Sequence, residues 1–307
     1  MRRFAVLLLV LALCAGAAGA EAPSPVAFGS LSFPRDAESI DLGEETVEDW
    51  QAFLAFLAEF PNLKRVDMFA SPVTRSEIRK LTEAFPDIAF GWTIHLAADH
   101  YVRTDQTAFS TLHGSCLPHT SRELDALRYC TELRALDIGH NNVKDLSFLE
   151  PLTHLRVLIL ACNPELKDLS PLANLQDLEY LELFSTAVTD ISPLSGLTRL
   201  LDLNLANNRI RNWSLLGEMK SLRRLWVPVG NAKADTLRLS LPDTLVVNHG
   251  QPTGNGWRIL EDGTRDPHYQ VIYEMFRGSD YIPFADSAPW PDEPAETVSP
   301  DSFLVRE

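Results

Sequence analysis

The sequence predicts an α/β solenoid with a parallel sheet along its concave side, and three observations predict it. Beginning at Leu133, Leu155, Leu178 and Leu200, four consecutive units of 22 or 23 residues follow the order L-x-x-L-x-L-x-x-N-x-V/I. A unit of that length cannot bury its own apolar face and must stack on its neighbours. Upstream, two coils of about 25 residues each have helical apolar spacing where the later units have turn residues. Both kinds of coil share a pair of apolar residues two apart, such as Leu136/Ile138 and Ile40/Leu42, the pattern of a short strand with alternate residues turned inward.

In the regular array each unit has seven apolar positions and one polar one. The first carries Leu133, Leu136, Ile138, Asn141, Val143, Leu146, Leu149 and Leu152, and the second repeats the order after one inserted residue at Pro164-Glu165. Asn141, Asn163 and Asn208 fall where the strand turns. There a side-chain amide can bond the exposed backbone of adjacent coils in a ladder, with Thr186 at the same place in the third unit. Asp145-Leu146-Ser147, Asp168-Leu169-Ser170 and Asp190-Ile191-Ser192 read as caps of single helical turns. Pro171 and Pro193 stand early in those turns, where a missing N–H costs nothing.

On these residues the array over 133–221 resembles the 22-residue leucine-rich repeat class of internalin-like bacterial surface proteins. The resemblance implies a leucine-rich repeat horseshoe, with helices on the convex side of the early coils and short turns on the later ones. It also implies a secreted or cell-surface protein that binds another protein, or a glycan, through its concave sheet. No enzymatic activity or cofactor is implied.

The remaining elements follow in order. Met1-Arg2-Arg3, the apolar run Phe4 to Leu13 and Ala18-Gly19-Ala20 read as a secretory signal peptide cleaved after Ala20, followed by a linker over 21–36. Cys14 raises the alternative of an envelope-anchored lipoprotein with a structural role, although Leu13 is bulky where a lipidation signal wants a small residue. The solenoid is expected over 37–248 as one continuous sheet: longer irregular coils over 37–132, four regular repeats over 133–221 and degenerate coils over 222–248. Val47 to Phe60 and Ser76 to Phe85 predict the early helices, and Glu123 to Tyr129 another. His95 to Gln106 is polar and leaves the solenoid as a hairpin or loop. Leu237 to Leu241 and Leu245-Val246-Val247 are expected as last edge strands. An exposed sheet end needs covering, and His268 to Phe276, with Tyr269, Ile272, Tyr273 and Phe276 on one face, predicts a cap over 249–284. The acidic, proline-rich stretch 285–307 reads as a disordered tail.

Charge excludes some partners. The chain carries a formal charge of −15, and without Arg2 and Arg3 it has 25 basic against 42 acidic residues, or −17. Nucleic acid and anionic lipid need a basic footprint, so a protein with a basic surface is the expected partner. No second stretch of about 20 apolar residues follows the leader, so no transmembrane segment is expected. Cys116, Cys130 and Cys162 remain after cleavage, and an odd number leaves at least one thiol free; Cys130 is expected to be a buried one, and a Cys116–Cys130 bridge is the possible pairing.

His113-Gly-Ser-Cys116-Leu-Pro-His119 has a spacing at which two imidazoles and a thiol reach one Zn²⁺, and His140 or Cys162 stands ready to approach from neighbouring coils. The spacing arises easily in a polar loop, and no fourth ligand is evident; the metal or hydrolase reading stays the lesser alternative. The outward strand positions are more informative. Asp137, Ile159, Glu182, Asn204 and Trp226 form one column, with Tyr180, Asp202 and Arg224 before it and Phe184 after it. Under this frame Ile159, Tyr180, Phe184 and Trp226 stand in water beside charges, as binding hot spots do. Leu158 and Leu181 point into the core. Glu182 points to the surface, where truncation should cost under about 0.5 kcal/mol.

Overall fold

The computed structural model describes residues 24–96, 100–112, 118–227, 229–248, 258–260 and 262–290. The expected signal peptide, Cys14, His113, Cys116 and the residues beyond 290 lie outside them.

Residues 21–36, expected as a linker, instead contain a hairpin. Strands β1 (Val26–Phe28) and β2 (Leu31–Phe33) pair antiparallel around a turn in which Gly29 takes φ +56°, a left-handed conformation suited to glycine. Phe28 packs on Phe53 and Phe56 with ring centroids 5.3 and 5.1 Å apart, so the hairpin covers the open end of the first coil. Its apolar alternation, Val26, Phe28, Leu31 and Phe33, is the signal that a linker reading passes over.

The early coils alternate strand and helix. Strand β3 (Ser39–Asp41) leads to helix α1 (Trp50–Leu57), capped by Asp49, which accepts from the amides of Gln51 and Ala52. Strand β4 (Arg65–Val73) leads to helix α2 (Arg75–Ala84), begun by a capping box between Thr74 and Glu77. Strand β5 (Ala89–His95) leads into the polar segment, whose strand β6 (Tyr101–Arg103) pairs antiparallel with it. The result is a four-stranded sheet in the order β3-β4-β5-β6.

A second sheet follows. Strands β7 (Ala108–Ser110), β8 (Ala135–Asp137), β9 (Val157–Ile159), β10 (Tyr180–Glu182), β11 (Asp202–Asn204), β12 (Arg224–Trp226) and β13 (Leu245–Val247) are all parallel and stack in chain order. The inward leucines are in register, Leu136 beside Leu158, Leu158 beside Leu181, Leu181 beside Leu203 and Leu203 beside Leu225. Helix α3 (Ser121–Leu124) and a 3₁₀ turn over Asp125–Tyr129 back the first of these coils. The array proper has only 3₁₀ turns on its convex side, at Ser147–Leu149, Ser170–Asn174, Ser192–Leu194 and Trp213–Glu218. Asp145, Asp168 and Asp190 each accept from the amide two residues on, at 2.9 Å.

The single continuous sheet is therefore corrected to two. Strand β6 occupies the edge of β5, so β7 pairs with β8 alone and hydrogen bonding is interrupted between the two kinds of coil. Packing is not interrupted, because one apolar core runs from Ile40 and Phe53 through Leu136 and Leu181 to Val246. A second correction concerns Leu237 to Leu241, which forms the last turn and C-cap of helix α4 (Asn231–Ser240). Ala234 and Leu237 are buried three apart, while Leu239, the residue that made the segment look alternating, is 85 % exposed.

The third correction matters most for function. Helices α5 (Pro267–Gly278) and α6 (Phe284–Ser287) do not stack on the end of the sheet; α5 lies against β7 and β8 on the concave side. Residues 285–290, assigned to a disordered tail, are part of this layer: Ala288 is buried and the Trp290 indole packs edge-on against Phe284 at 5.6 Å.

Candidate functional site on the concave face

The outward side chains of β8 to β12 are covered. Asp137, Ile159, Tyr180, Glu182, Asp202, Asn204, Arg224 and Trp226 are all buried, and Phe184 is half-buried. The expectation that the aromatic and aliphatic members stand in water is overturned by the segment 258–290, which fills the groove. Small outward residues at one end, Ala108, Ala135 and Val157, make room for Ile272, Met275 and Phe276 of α5, and Tyr180 meets the Phe284 ring at 5.3 Å and 72°.

Two polar clusters hold this segment. In the first, Glu182 accepts from the Arg258 guanidinium at 3.0 Å and from the Tyr180 hydroxyl at 3.0 Å, while Arg258 lies 4.8 Å from the Tyr269 ring centre. Asp137, on the same side, accepts from the Gly139 amide at 2.9 Å. Burial pushes the Asp137 carboxyl up to about 6, against the pull of Arg258. Burial opposes the charge on Arg258, yet Glu182, Tyr269 and Asp137 together raise its pKa above the usual arginine range.

In the second cluster Arg224 bridges two carboxylates. Its Nε donates to Asp202 at 2.9 and 3.1 Å and its Nη1 to both oxygens of Asp266 at 2.9 Å. Asp266 also caps α5, accepting from the amides of His268 and Tyr269. Burial raises Asp202, with Arg224 opposing. Burial also acts to raise Asp266, but the His268 hydrogen bond and the Arg224 charge outweigh it and hold that carboxyl low. Beside this cluster, buried Glu179 accepts from Arg156 at 2.7 Å and from the Ala285 amide at 3.2 Å, and the Thr107 hydroxyl takes the Tyr281 amide at 2.8 Å.

The structure thus brings Tyr180 to Glu182 and Asp202 to Arg224, and leaves three strands between Asp137 on β8 and Trp226 on β12. The sequence reading did not reach Arg258, Asp266, Glu179 or Tyr281. A signal for them was present: an apolar outward column and an amphipathic segment 268–276, each needing a cover.

Among the described residues the same side of the first sheet is less covered. Asp41 and Arg103 are exposed, and Phe69, Thr93 and His95 are half-buried. Arg103 lies 4.0 Å over the Phe69 ring and pairs with Asp105 at 2.7 Å. Asp67 is held by Arg65 at 2.8 Å and, together with Phe69, fills the space above Gly91, where a Cβ would meet Asp67 Oδ1 at 2.1 Å. His95 stacks on Tyr101 at 4.6 Å and 11°, and Tyr101 is 49 % exposed.

Along the rim, Asn163 accepts from the Val143 amide at 2.9 Å and donates to the carbonyls of Ile138 and Leu160; Asn208 bonds Thr186, Leu183 and Leu205 in the same way. Asn141 accepts from the His119 amide at 2.7 Å, which carries the ladder into the preceding coil. His140, Cys162, Ser185 and Asn207, one residue before each ladder position, all have φ near +57°. His119 does not stand in an open loop; its Nε2 is 2.8 Å from Nδ1 of buried His100. Burial and the neighbouring His100 lower the His119 pKa. Cys130 is buried and burial drives its thiol pKa upward; burial raises Cys162 as well, so both thiols are held in the protonated, unreactive form. Among the described residues no three His, Cys, Asp or Glu side chains are grouped as a metal site, and no helix is long and apolar enough to cross a membrane.

Residues 131–174 match the family model described as leucine-rich repeats in two copies. No curated protein sequence matches the chain. Among solved structures the chain is similar to an internalin C2 from Listeria monocytogenes, with 21 % identity, 70 % of this chain and 75 % of that one covered, and a TM-score of 0.33. An internalin F from the same bacterium is 20 % identical over 72 % of this chain and 70 % of that one, with a TM-score of 0.36. The functional domain of InlJ from Listeria monocytogenes is 18 % identical over 55 % and 40 %, with a TM-score of 0.36. The in-register leucines of the parallel sheet, the helices and 3₁₀ turns behind its strands and the matched repeats make the fold a leucine-rich repeat α/β horseshoe.

Proposed function

We propose that the protein is a recognition module, and that the concave face of β3 to β6 is the surface it offers to a protein partner. One observation carries this reading: of two concave faces built on the same core, one is filled by the chain's own segment 258–290 and the other presents Tyr101, His95, Phe69 and Arg103 beside Asp41. An exposed aromatic stacked on a neighbour loses little conformational freedom on binding, and an arginine already laid on a ring is similarly pre-ordered. The overall charge of −15 favours a partner with a basic surface and speeds its approach at low salt. A glycan is the alternative ligand, since stacked aromatics also suit sugar rings. Binding rather than catalysis is supported by the polar groups of the covered face, which are engaged with one another, and by thiols held protonated.

Secretion with cleavage after Ala20 belongs to this proposal, with lipid anchoring at Cys14 as its alternative. The mass of the mature N-terminus separates the two. The binding reading is tested by capture and crosslinking with purified 21–307 protein, followed by Tyr101→Ala and Arg103→Ala. Each should weaken a captured partner by at least about fivefold, equivalent to 1 kcal/mol, whereas Lys144→Ala on a convex turn should not. A partner indifferent to both changes would remove the interface from this face.

A further inference from the structure

The covered groove is the feature this reading leaves unused. Its apolar contacts form a cluster separate from the solenoid core: Ile272, Met275, Phe276 and Phe284 pack on Ala108, Ala135, Ile159 and Tyr180, whereas the inward leucines pack among themselves. Apart from the edge strand β7, whose Ala108 amide donates to the Ser279 carbonyl at 3.3 Å, the coils satisfy their own backbone through the strand ladders and the asparagine ladder. Arg224 keeps Asp202 as a partner within the sheet even without Asp266. The other polar fastenings combine the Arg258–Glu182 ion pair with the bonds of the Tyr281 amide to Thr107 and of the Ala285 amide to Glu179. Buried ion pairs add little over apolar packing of the same volume but fix register, and a layer fastened that way opens as a unit below the stability of what it covers.

We propose that segment 258–290 is a detachable occupant of the groove, and that the groove is a receptor for an arginine-bearing amphipathic helix supplied by a partner protein. The occupant displays the required chemistry. An arginine reaches Glu182 and faces Asp137, a helix capped by an acidic residue places apolar side chains at the spacing of Ile272, Met275 and Phe276 over the small residues of β7 to β9, and an aromatic ring meets Tyr180. When the segment leaves, Asp137 and Glu182 turn from buried groups into a hydrated acidic pair, which is complementary to a basic helix, while Glu179 keeps Arg156. Access to this second face is thus controlled by the chain itself, and a partner helix must outcompete a tethered one.

The test uses the full 21–307 chain and a labelled synthetic peptide of residues 258–290 as the probe. Arg258→Glu sets like charge against Glu182 and loosens the tethered copy, so the variant should bind the peptide at least tenfold more tightly than the wild type does. Adding Glu182→Gln to that variant should cost at least fivefold of the gain. A folded Arg258→Glu protein, with wild-type circular dichroism, that takes up no peptide overturns the proposal. Hydrogen exchange on the wild type gives a second reading that needs no variant: the amides of 267–278 should open well before those of β9 to β11, and exchange of both only through global unfolding overturns it. Dimers that form by trading the segment between copies, with no peptide uptake by monomer, would likewise replace the partner helix with a second copy and sink the proposal. None of these readings involves Tyr101 or Arg103, so failure here and failure of the recognition face of β3 to β6 are told apart.

Discussion

The two concave faces of this horseshoe share a core and differ in what lies above them. Over β3 to β6 the outward residues reach solvent and are arranged by exposed pairs, Arg65 with Asp67 and Arg103 with Asp105. Over β7 to β12 the equivalent positions are sealed, and their charges are joined to the covering segment, Glu182 to Arg258 and Arg224 to Asp266. The same residue types therefore carry different energies on the two faces. A surface pair contributes between nothing and about 1 kcal/mol, while breaking a buried one leaves an uncompensated charge that costs about 3–5 kcal/mol. What an outward position does in a solenoid is set by its cover and not by its place in the repeat.

The widest separation between the faces should come from paired arginine truncations. Arg224→Ala strands two buried carboxylates and should destabilise by about 3–5 kcal/mol, whereas Arg103→Ala should cost under about 1 kcal/mol. Urea unfolding of both measures the difference, and equal losses would mean the covered face is not sealed in solution. Glu182→Ala belongs with Arg224, at about 3–5 kcal/mol, which reverses the small effect that a solvent-facing glutamate would show. Next in size, Leu158→Ala and Leu181→Ala remove fully buried side chains from the shared core and should each cost about 2–5 kcal/mol.

A pH titration sharpens the comparison at a single residue. Burial raises Asp137 from its ordinary 3.8 to about 6, so the folded protein holds this proton more tightly than the unfolded chain does. The stabilisation is complete below about pH 3.8 and is lost as pH rises through about 6, a change on the order of 3 kcal/mol. Asp202 shifts in the same direction and Asp266 in the opposite one, so the informative quantity is the difference between wild type and Asp137→Asn. The asparagine keeps an acceptor for the Gly139 amide and cannot ionise; its stability relative to wild type should climb between pH 4 and 7 and then level off. A flat difference would place Asp137 in water and the cover elsewhere.

How much of this was legible in the sequence depended on whether the information was local. The array was legible because every leucine and asparagine of a repeat answers to a neighbour one period away, as Leu158 does to Leu136 and Leu181. The early helices were legible within a few residues for the same reason, α1 and α2 each showing apolar spacing and a cap. The contact of Arg258 with Glu182 spans 76 positions, and that of Ala285 with Glu179 spans 106; no period links them. Asp137, Glu182 and Asp202 were read as solvent-facing and are buried, since nothing in a strand pattern says what lies above it. Leu237 to Leu241 failed for a local reason: a five-residue alternation cannot by itself distinguish a strand from a helix that exposes one leucine.

The smallest stability effect is expected where the functional effect should be largest. Tyr101 is half-exposed and touches the solenoid through the stacked His95, so Tyr101→Ala should move the unfolding free energy by no more than about 0.5 kcal/mol. On a recognition face that same ring contributes contact area at little entropic cost, and its loss should raise the dissociation rate more than it slows association, because short-range packing governs escape while charge governs approach. Removing the nearby exposed carboxylate with Asp41→Asn should do the reverse, lowering the association rate at low salt and leaving dissociation nearly unchanged. Rate measurements on a captured partner at two ionic strengths separate the two. If Tyr101→Ala instead unfolded the protein, His95 and Tyr101 would be part of the core, and the face of β3 to β6 would be no more open than the groove beside it.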